Sequence, residues 1–74
     1  MAGLSNRAVA QSLGVSIATV SRLRSADRLP SFELMTKVAE GFAWPIEDQA
    51  RQRLDKTWHV GFETAIRRAS PALP

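Results

Sequence analysis

Two short helices separated by a glycine are the feature that most restricts what this chain can fold into. In the segment SNRAVAQSLGVSIATVSRLR, hydroxyl residues Ser5 and Ser16 each precede a stretch with helical apolar periodicity, which predicts two N-caps. Gly14 lies between them and can adopt the left-handed conformation that ends a helix without steric cost. We therefore predict one helix that ends near Leu13 and a second that ends near Arg24.

A third amphipathic helix follows the polar turn SADRLP. Ser31 is its predicted N-cap, and the apolar positions at i, i+3, i+4 and i+7 are Met35, Val38, Ala39 and Phe42. These positions form one stripe that faces the core. The segment GFAWP, with its glycine and proline, is expected to break this helix.

The stretch from Ile46 to about Arg68 is also helical in pattern, and two arrangements remain open for it. It is either one long helix whose second half meets another chain, or a helix that bends at Gly61 and folds back onto its own core. The positions expected to pack against a helix or to form a dimer are Trp58, Gly61, Phe62, Ala65 and Ala69. We expect the aromatic rings of Trp44, Trp58 and Phe62 to be core residues.

These patterns predict an all-α fold, a small bundle of about four to five helices with a helix-turn-helix and a long C-terminal helix. Strand signals are weak, and 74 residues without cysteine form one domain at most. We divide the chain into a helix-turn-helix core, a C-terminal helix that packs on the core or dimerises, and a tail, with bounds 1–48, 49–70 and 71–74.

The sequence predicts no enzyme, cofactor or metal site. His59 is the only histidine and cysteine is absent, so no pair of strong metal ligands exists. No apolar run approaches the roughly 20 residues that span a bilayer, and the start MAGLSNRAVAQ lacks the layout of a signal peptide. We expect a soluble, cytoplasmic domain.

The positive charge is concentrated in the first half of the chain. Residues 1–32 contain four arginines and one aspartate, whereas residues 33–74 contain six basic and six acidic side chains. A localised basic surface favours a polyanionic partner. In the balanced half, we expect Glu63 to pair with Arg67 one helical turn later.

The second predicted helix uses only a narrow stripe for the core. Val20 and Leu23 form that stripe, so the opposite face is free for a ligand. The side chains on that free face are Ser16, Ile17, Ala18, Ser21 and Arg22.

Residues 4–48, LSNRAVAQSLGVSIATVSRLRSADRLPSFELMTKVAEGFAWPIED, resemble the phage repressor/Cro type (XRE-like) of helix-turn-helix domain. The resemblance is carried by Ala10, Gly14-Val15-Ser16, Thr19-Val20-Ser21-Arg22 and Pro30-Ser31. A weaker similarity links GVSIATVSR to lactose-repressor-type headpieces. The repressor family usually has an amphipathic helix before this segment, and we expect the helix of Trp58 and Phe62 to occupy its place.

The resemblance implies sequence-specific binding to double-stranded DNA, with the second helix in the major groove. The residues then expected to read base edges are Ile17, Ala18, Ser21 and Arg22. Those expected to contact the sugar-phosphate backbone are Asn6, Arg7, Ser16, Thr19, Arg24, Ser25 and Arg28.

The most favoured function is a transcriptional regulator, a phage or prophage repressor or Cro-like protein that occupies an operator. The alternatives are an antitoxin that represses its own operon, the DNA-binding piece of a recombinase, and a protein-interaction module without DNA affinity. Besides operator DNA, the expected partners are a second copy of the chain or a further domain of a longer chain.

Overall fold

The computed structural model describes residues 4–69, which form five α-helices and no strand. They are α1 (Asn6–Leu13), α2 (Ile17–Arg24), α3 (Phe32–Phe42), α4 (Ile46–Leu54) and α5 (Trp58–Ala69). The predicted all-α class is therefore confirmed, whereas the predicted tail lies outside the described residues. Within those residues, no helix has the length and apolarity needed to cross a membrane.

The first three helices begin where their hydroxyl caps predict. The side chains of Ser5, Ser16 and Ser31 each accept a hydrogen bond from the backbone N–H three residues later, at N···O distances of 3.2, 3.1 and 3.1 Å. Gly14 has φ of 70° and ends α1 in the left-handed conformation. Local capping chemistry thus accounts for the spacing of α1, α2 and α3.

The C-terminal stretch is two helices, which excludes one of the two arrangements that the sequence left open, a single long helix. α4 ends at Leu54, and Lys56 adopts the left-handed conformation with φ of 61°. The N–H of Thr57 donates to the carbonyl of Gln52 at 2.9 Å, a bond that closes the end of α4. The chain does fold back onto its core, but the break lies here and Gly61 is inside α5.

α5 completes the core by packing on α2, α3 and α4. Its buried side chains are Trp58, Phe62, Ala65 and Ile66. The ring of Phe62 stacks on Trp58 with centroids 4.6 Å apart, and Trp44 lies 5.5 Å from Trp58. The expectation that Trp44, Trp58 and Phe62 are core residues is confirmed.

The same burial favours helix packing over dimerisation, the two roles that the sequence left open for these residues. Phe62 is fully buried and Ala65 is 4% exposed, because both lie in the core of their own chain. A second copy could reach them only by opening that core. Of the five residues proposed for packing or dimerisation, Gly61 and Ala69 are half-buried and the other three are buried.

A buried polar network that the sequence did not reveal joins three segments of the core. The side-chain amide of Gln49 donates to the carbonyls of Met35 and Trp44, both at 2.9 Å. Its Oε1 accepts a hydrogen bond from the indole Nε1 of Trp58 at 3.2 Å. Gln49 is fully buried, and this network ties α4 to the first half of α3, to the segment after α3 and to the start of α5.

Candidate nucleic-acid interface

The two faces of α2 differ as a groove-reading helix requires. Val20 and Leu23 are fully buried. The four proposed base-reading side chains are all exposed, and at 3.6 residues per turn they occupy an arc of about 140°; they are Ile17, Ala18, Ser21 and Arg22. The structure therefore brings these four predicted residues together on one open surface.

The beginning of α2 offers hydrogen-bond donors beside that surface. The hydroxyl of Ser16 accepts from the backbone N–H of Thr19, and the two hydroxyl oxygens lie 2.9 Å apart. The N–H groups of Ile17 and Ala18 belong to the first turn, where a helix has no carbonyl to bond them. Such a helix start can bind an anion.

Three arginines of the first half are exposed and unpaired. Arg7, Arg22 and Arg28 form no ion pair and no side-chain hydrogen bond within residues 4–69. Arg7 lies at the start of α1, Arg22 on the open arc of α2, and Arg28 in the loop that follows α2. The unbalanced charge predicted from the sequence therefore remains available to a polyanion.

Arg24 has a different environment, because its guanidinium is bonded within the chain. Nε and Nη2 donate to the two carboxylate oxygens of Glu63, both at 2.7 Å. Nη1 donates to the carbonyl of Leu4 at 3.1 Å and to Oδ1 of Asn6 at 2.9 Å. The charge of Arg24 is thus balanced by Glu63, and the expected pairing of Glu63 with Arg67 is wrong.

This network also orients Asn6. Since Oδ1 of Asn6 accepts from Arg24, its Nδ2 is left to donate to another group. The sequence did not reveal the role of Glu63 as the partner of Arg24, and no local pattern could have done so, because the two residues lie 39 positions apart.

The hydroxyl of Ser25 is also occupied. It bonds to the carbonyl of Arg22 at 3.2 Å and to the carboxylate of Asp27 at 3.0 Å. A phosphate contact through this hydroxyl would have to displace one of these bonds next to a negative charge.

The comparisons with known proteins agree with the geometry of α1 and α2. A helix-turn-helix family model, of the XRE type and consistent with Cro/repressor domains, matches residues 1–48. No curated protein and no solved structure matches the chain. On the extent of the family match, the chain belongs to the XRE family of helix-turn-helix domains, which are DNA-binding regulators.

Proposed function

We propose that the chain is a sequence-specific regulator that occupies an operator in double-stranded DNA, in the manner of a phage or prophage repressor or Cro-like protein. The observation that carries this proposal is the open arc of α2, with unpaired Arg22 on it and unpaired Arg7 and Arg28 on the flanking segments. Occupation of the operator excludes polymerase in the cytoplasm of a bacterial or phage-infected cell.

Base reading is assigned to the side chains of the open arc. Arg22 donates a bidentate pair to O6 and N7 of a guanine, which discriminates against other bases by about 1–3 kcal/mol. Ile17 is 46% exposed, and with Ala18 it contacts thymine methyl groups. Ser21 bonds a neighbouring base edge.

Backbone contacts are assigned to groups that the fold leaves able to donate. They are the Nδ2 of Asn6, the guanidinium groups of Arg7 and Arg28, and the start of α2 with Ser16 and Thr19. Arg24 and Ser25 were expected among these contacts, but we now assign Arg24 to positioning Asn6 and Ser25 to the turn after α2. These contacts fix the register of α2 on the duplex.

The test is selection of a preferred duplex from a random pool, followed by titration at several salt concentrations. We expect Arg22→Ala to relax base preference at one position, and Arg28→Ala to weaken all duplexes alike and to reduce the salt slope by about 1. Arg51→Ala is the matched control, because Arg51 pairs with Asp48 on α4. Unchanged base preference in Arg22→Ala would refute the assignment, and absence of duplex binding at low salt would refute the function.

A homodimer, one of the two protein associations left open by the sequence beside a further domain of a longer chain, would have to use side chains that the fold leaves exposed. The large exposed apolar side chains of the described residues are Ile17, Leu29, Phe32, Leu54 and Val60. Phe32 is 70% exposed at the start of α3, and Leu54 is 81% exposed at the end of α4. Two symmetric half-sites in the selected DNA would report two copies on the operator.

A further inference from the structure

A small cavity lies between the loop after α2 and the start of α5. Its volume is about 200 Å³, and it is lined by Ala26, Arg28, Leu29, Lys56, Trp58 and His59. Two segments that are distant in the sequence therefore share one concave surface, and one of them directly follows the proposed base-reading helix.

Half of the residues that line this cavity are basic. They are Arg28, Lys56 and His59, and none of the described residues that line it carries a carboxylate. The side chains of these three residues form no hydrogen bond or ion pair within the part of the chain that the structure describes. Asp27 precedes Arg28 in the sequence and Asp55 precedes Lys56, but neither aspartate lines the cavity. The carboxylate of Asp27 accepts a hydrogen bond from the hydroxyl of Ser25.

The backbone holds Lys56 at this position. Its φ of 61° lies in the left-handed region, and its N–H donates to the carbonyl of Arg53 at 3.2 Å. Arg53 in turn donates from Nε to the carbonyl of Pro30 at 2.9 Å, which joins the end of α4 to the residues just before α3. The turn that contains Lys56 is thus fixed against the loop that contains Arg28.

We propose that this basic cavity binds a phosphate group of the DNA backbone, so that Lys56 and His59 extend the protein–DNA interface beyond the helix-turn-helix. The inference rests on the proposed function, because a duplex held along α2 brings one strand to the loop of Arg28. Two cationic side chains and an imidazole that line one cavity, with no acidic side chain among its described lining residues, suit a single phosphodiester. The segment that supplies Lys56 and His59 lies beyond the family match of residues 1–48.

The test uses a variant that removes the charge without straining the fold. Lys56→Gly places glycine at a left-handed position, so its thermal stability should equal or exceed that of the unmodified protein. If Lys56→Gly removes one phosphate contact, the magnitude of the slope of log K for DNA binding against log salt concentration falls by about 0.9. The affinity for DNA then falls about fivefold at 0.15 M salt. All duplexes should weaken alike, with base preference retained.

The matched control is Ala43→Gly, which makes the same backbone change at φ of 55° without removing a charge. It should leave DNA affinity and salt slope unchanged. Arg28 and Lys56 are assigned to one phosphate. The double variant Arg28→Ala/Lys56→Gly should therefore reduce the magnitude of the DNA salt slope by about 1, rather than by about 2.

An unchanged salt slope in Lys56→Gly overturns the inference while leaving the proposed function intact. Absence of any duplex binding by the unmodified chain overturns both. A nuclear magnetic resonance titration with inorganic phosphate tests whether the cavity binds a free anion instead of a phosphate of DNA. Shifts at Lys56 and His59 with phosphate, together with an unchanged DNA salt slope, would reassign the cavity to a small anion and overturn the DNA contact.

Discussion

At the scale of single residues, Gly61 shows how a tertiary contact can outweigh helix propensity. A Cβ atom at this position would lie 2.6 Å from Cη2 of Trp44 and closer still to Cζ2 of the same ring. Trp44 is itself packed against Trp58, so its indole cannot move aside freely. Glycine in mid-helix costs about 1 kcal/mol relative to alanine, and here it allows α5 to approach the ring.

We predict that Gly61→Ala lowers the free energy of unfolding by about 1 kcal/mol. The clash of the added methyl group with the core costs more than the gain in helix propensity from alanine restores. Gly41→Ala is the matched control, since the nearest atom to its Cβ is Cδ2 of Leu13 at an ordinary 3.9 Å. That variant should be stabilised, by up to about 1 kcal/mol. Urea unfolding measures both, and a stabilised Gly61→Ala would refute the packing role.

Gln49 is the second residue whose role depends on its surroundings. We predict that Gln49→Leu lowers the free energy of unfolding by at least about 2 kcal/mol, because the Trp44 carbonyl and the Trp58 indole N–H lose their buried partner at about 1–3 kcal/mol each. Thermal unfolding followed by circular dichroism measures the loss. The exposed Gln11→Leu should stay within about 0.5 kcal/mol of the original protein, and equal effects at the two positions would contradict the network.

At the scale of helices, the pairing of Arg24 with Glu63 joins α2 to α5 and, through Leu4 and Asn6, to the start of α1. The two side chains are 23% and 36% exposed and the pair is bidentate. We therefore expect more from it than the 0.2–1 kcal/mol typical of exposed pairs.

We predict a coupling free energy of about 1–2 kcal/mol in a double-mutant cycle of Arg24→Ala and Glu63→Ala. The control cycle uses Asp48 and Arg51, whose side chains are 45% and 68% exposed, and should give about 0.3–0.5 kcal/mol. Arg24→Ala should also leave the DNA salt slope unchanged, unlike Arg28→Ala. If Arg24→Ala reduced the magnitude of the DNA salt slope by about 1, Arg24 would have to be counted among the residues that contact phosphate.

At the scale of the whole molecule, α5 supplies four of the fourteen residues that form the hydrophobic core among residues 4–69, and it is required to close that core. We predict that Phe62→Glu unfolds the chain rather than separating a dimer, since the variant places an unpaired carboxylate in the core. Val60→Glu is the control on the same helix, because Val60 is 55% exposed. Circular dichroism and light scattering together test this, and a folded Phe62→Glu monomer derived from a dimer would contradict it.

Local chemistry explains why the first half of the fold was predictable from the sequence. A serine cap bonds an amide three residues away, and Gly14 ends α1 through its own φ angle. The apolar stripe of α2 likewise follows from helical spacing alone, so the open arc of Ile17, Ala18, Ser21 and Arg22 could be assigned correctly to one face.

The second half depended on contacts that no local pattern contains. Lys56 is a left-handed residue without glycine's freedom, so the break between α4 and α5 carried no glycine signal, and neither a continuous helix nor a bend at Gly61, the two arrangements left open, describes it. Arg24 has the same cationic side chain as Arg22 and Arg28, and only the position of Glu63 in the folded chain balances its charge. The sequence by itself determined the helix-turn-helix and its exposed face, because capping and periodicity act within a few residues. The tertiary structure decided which cations remain free and which helix closes the core, because both depend on residues that are far apart along the chain.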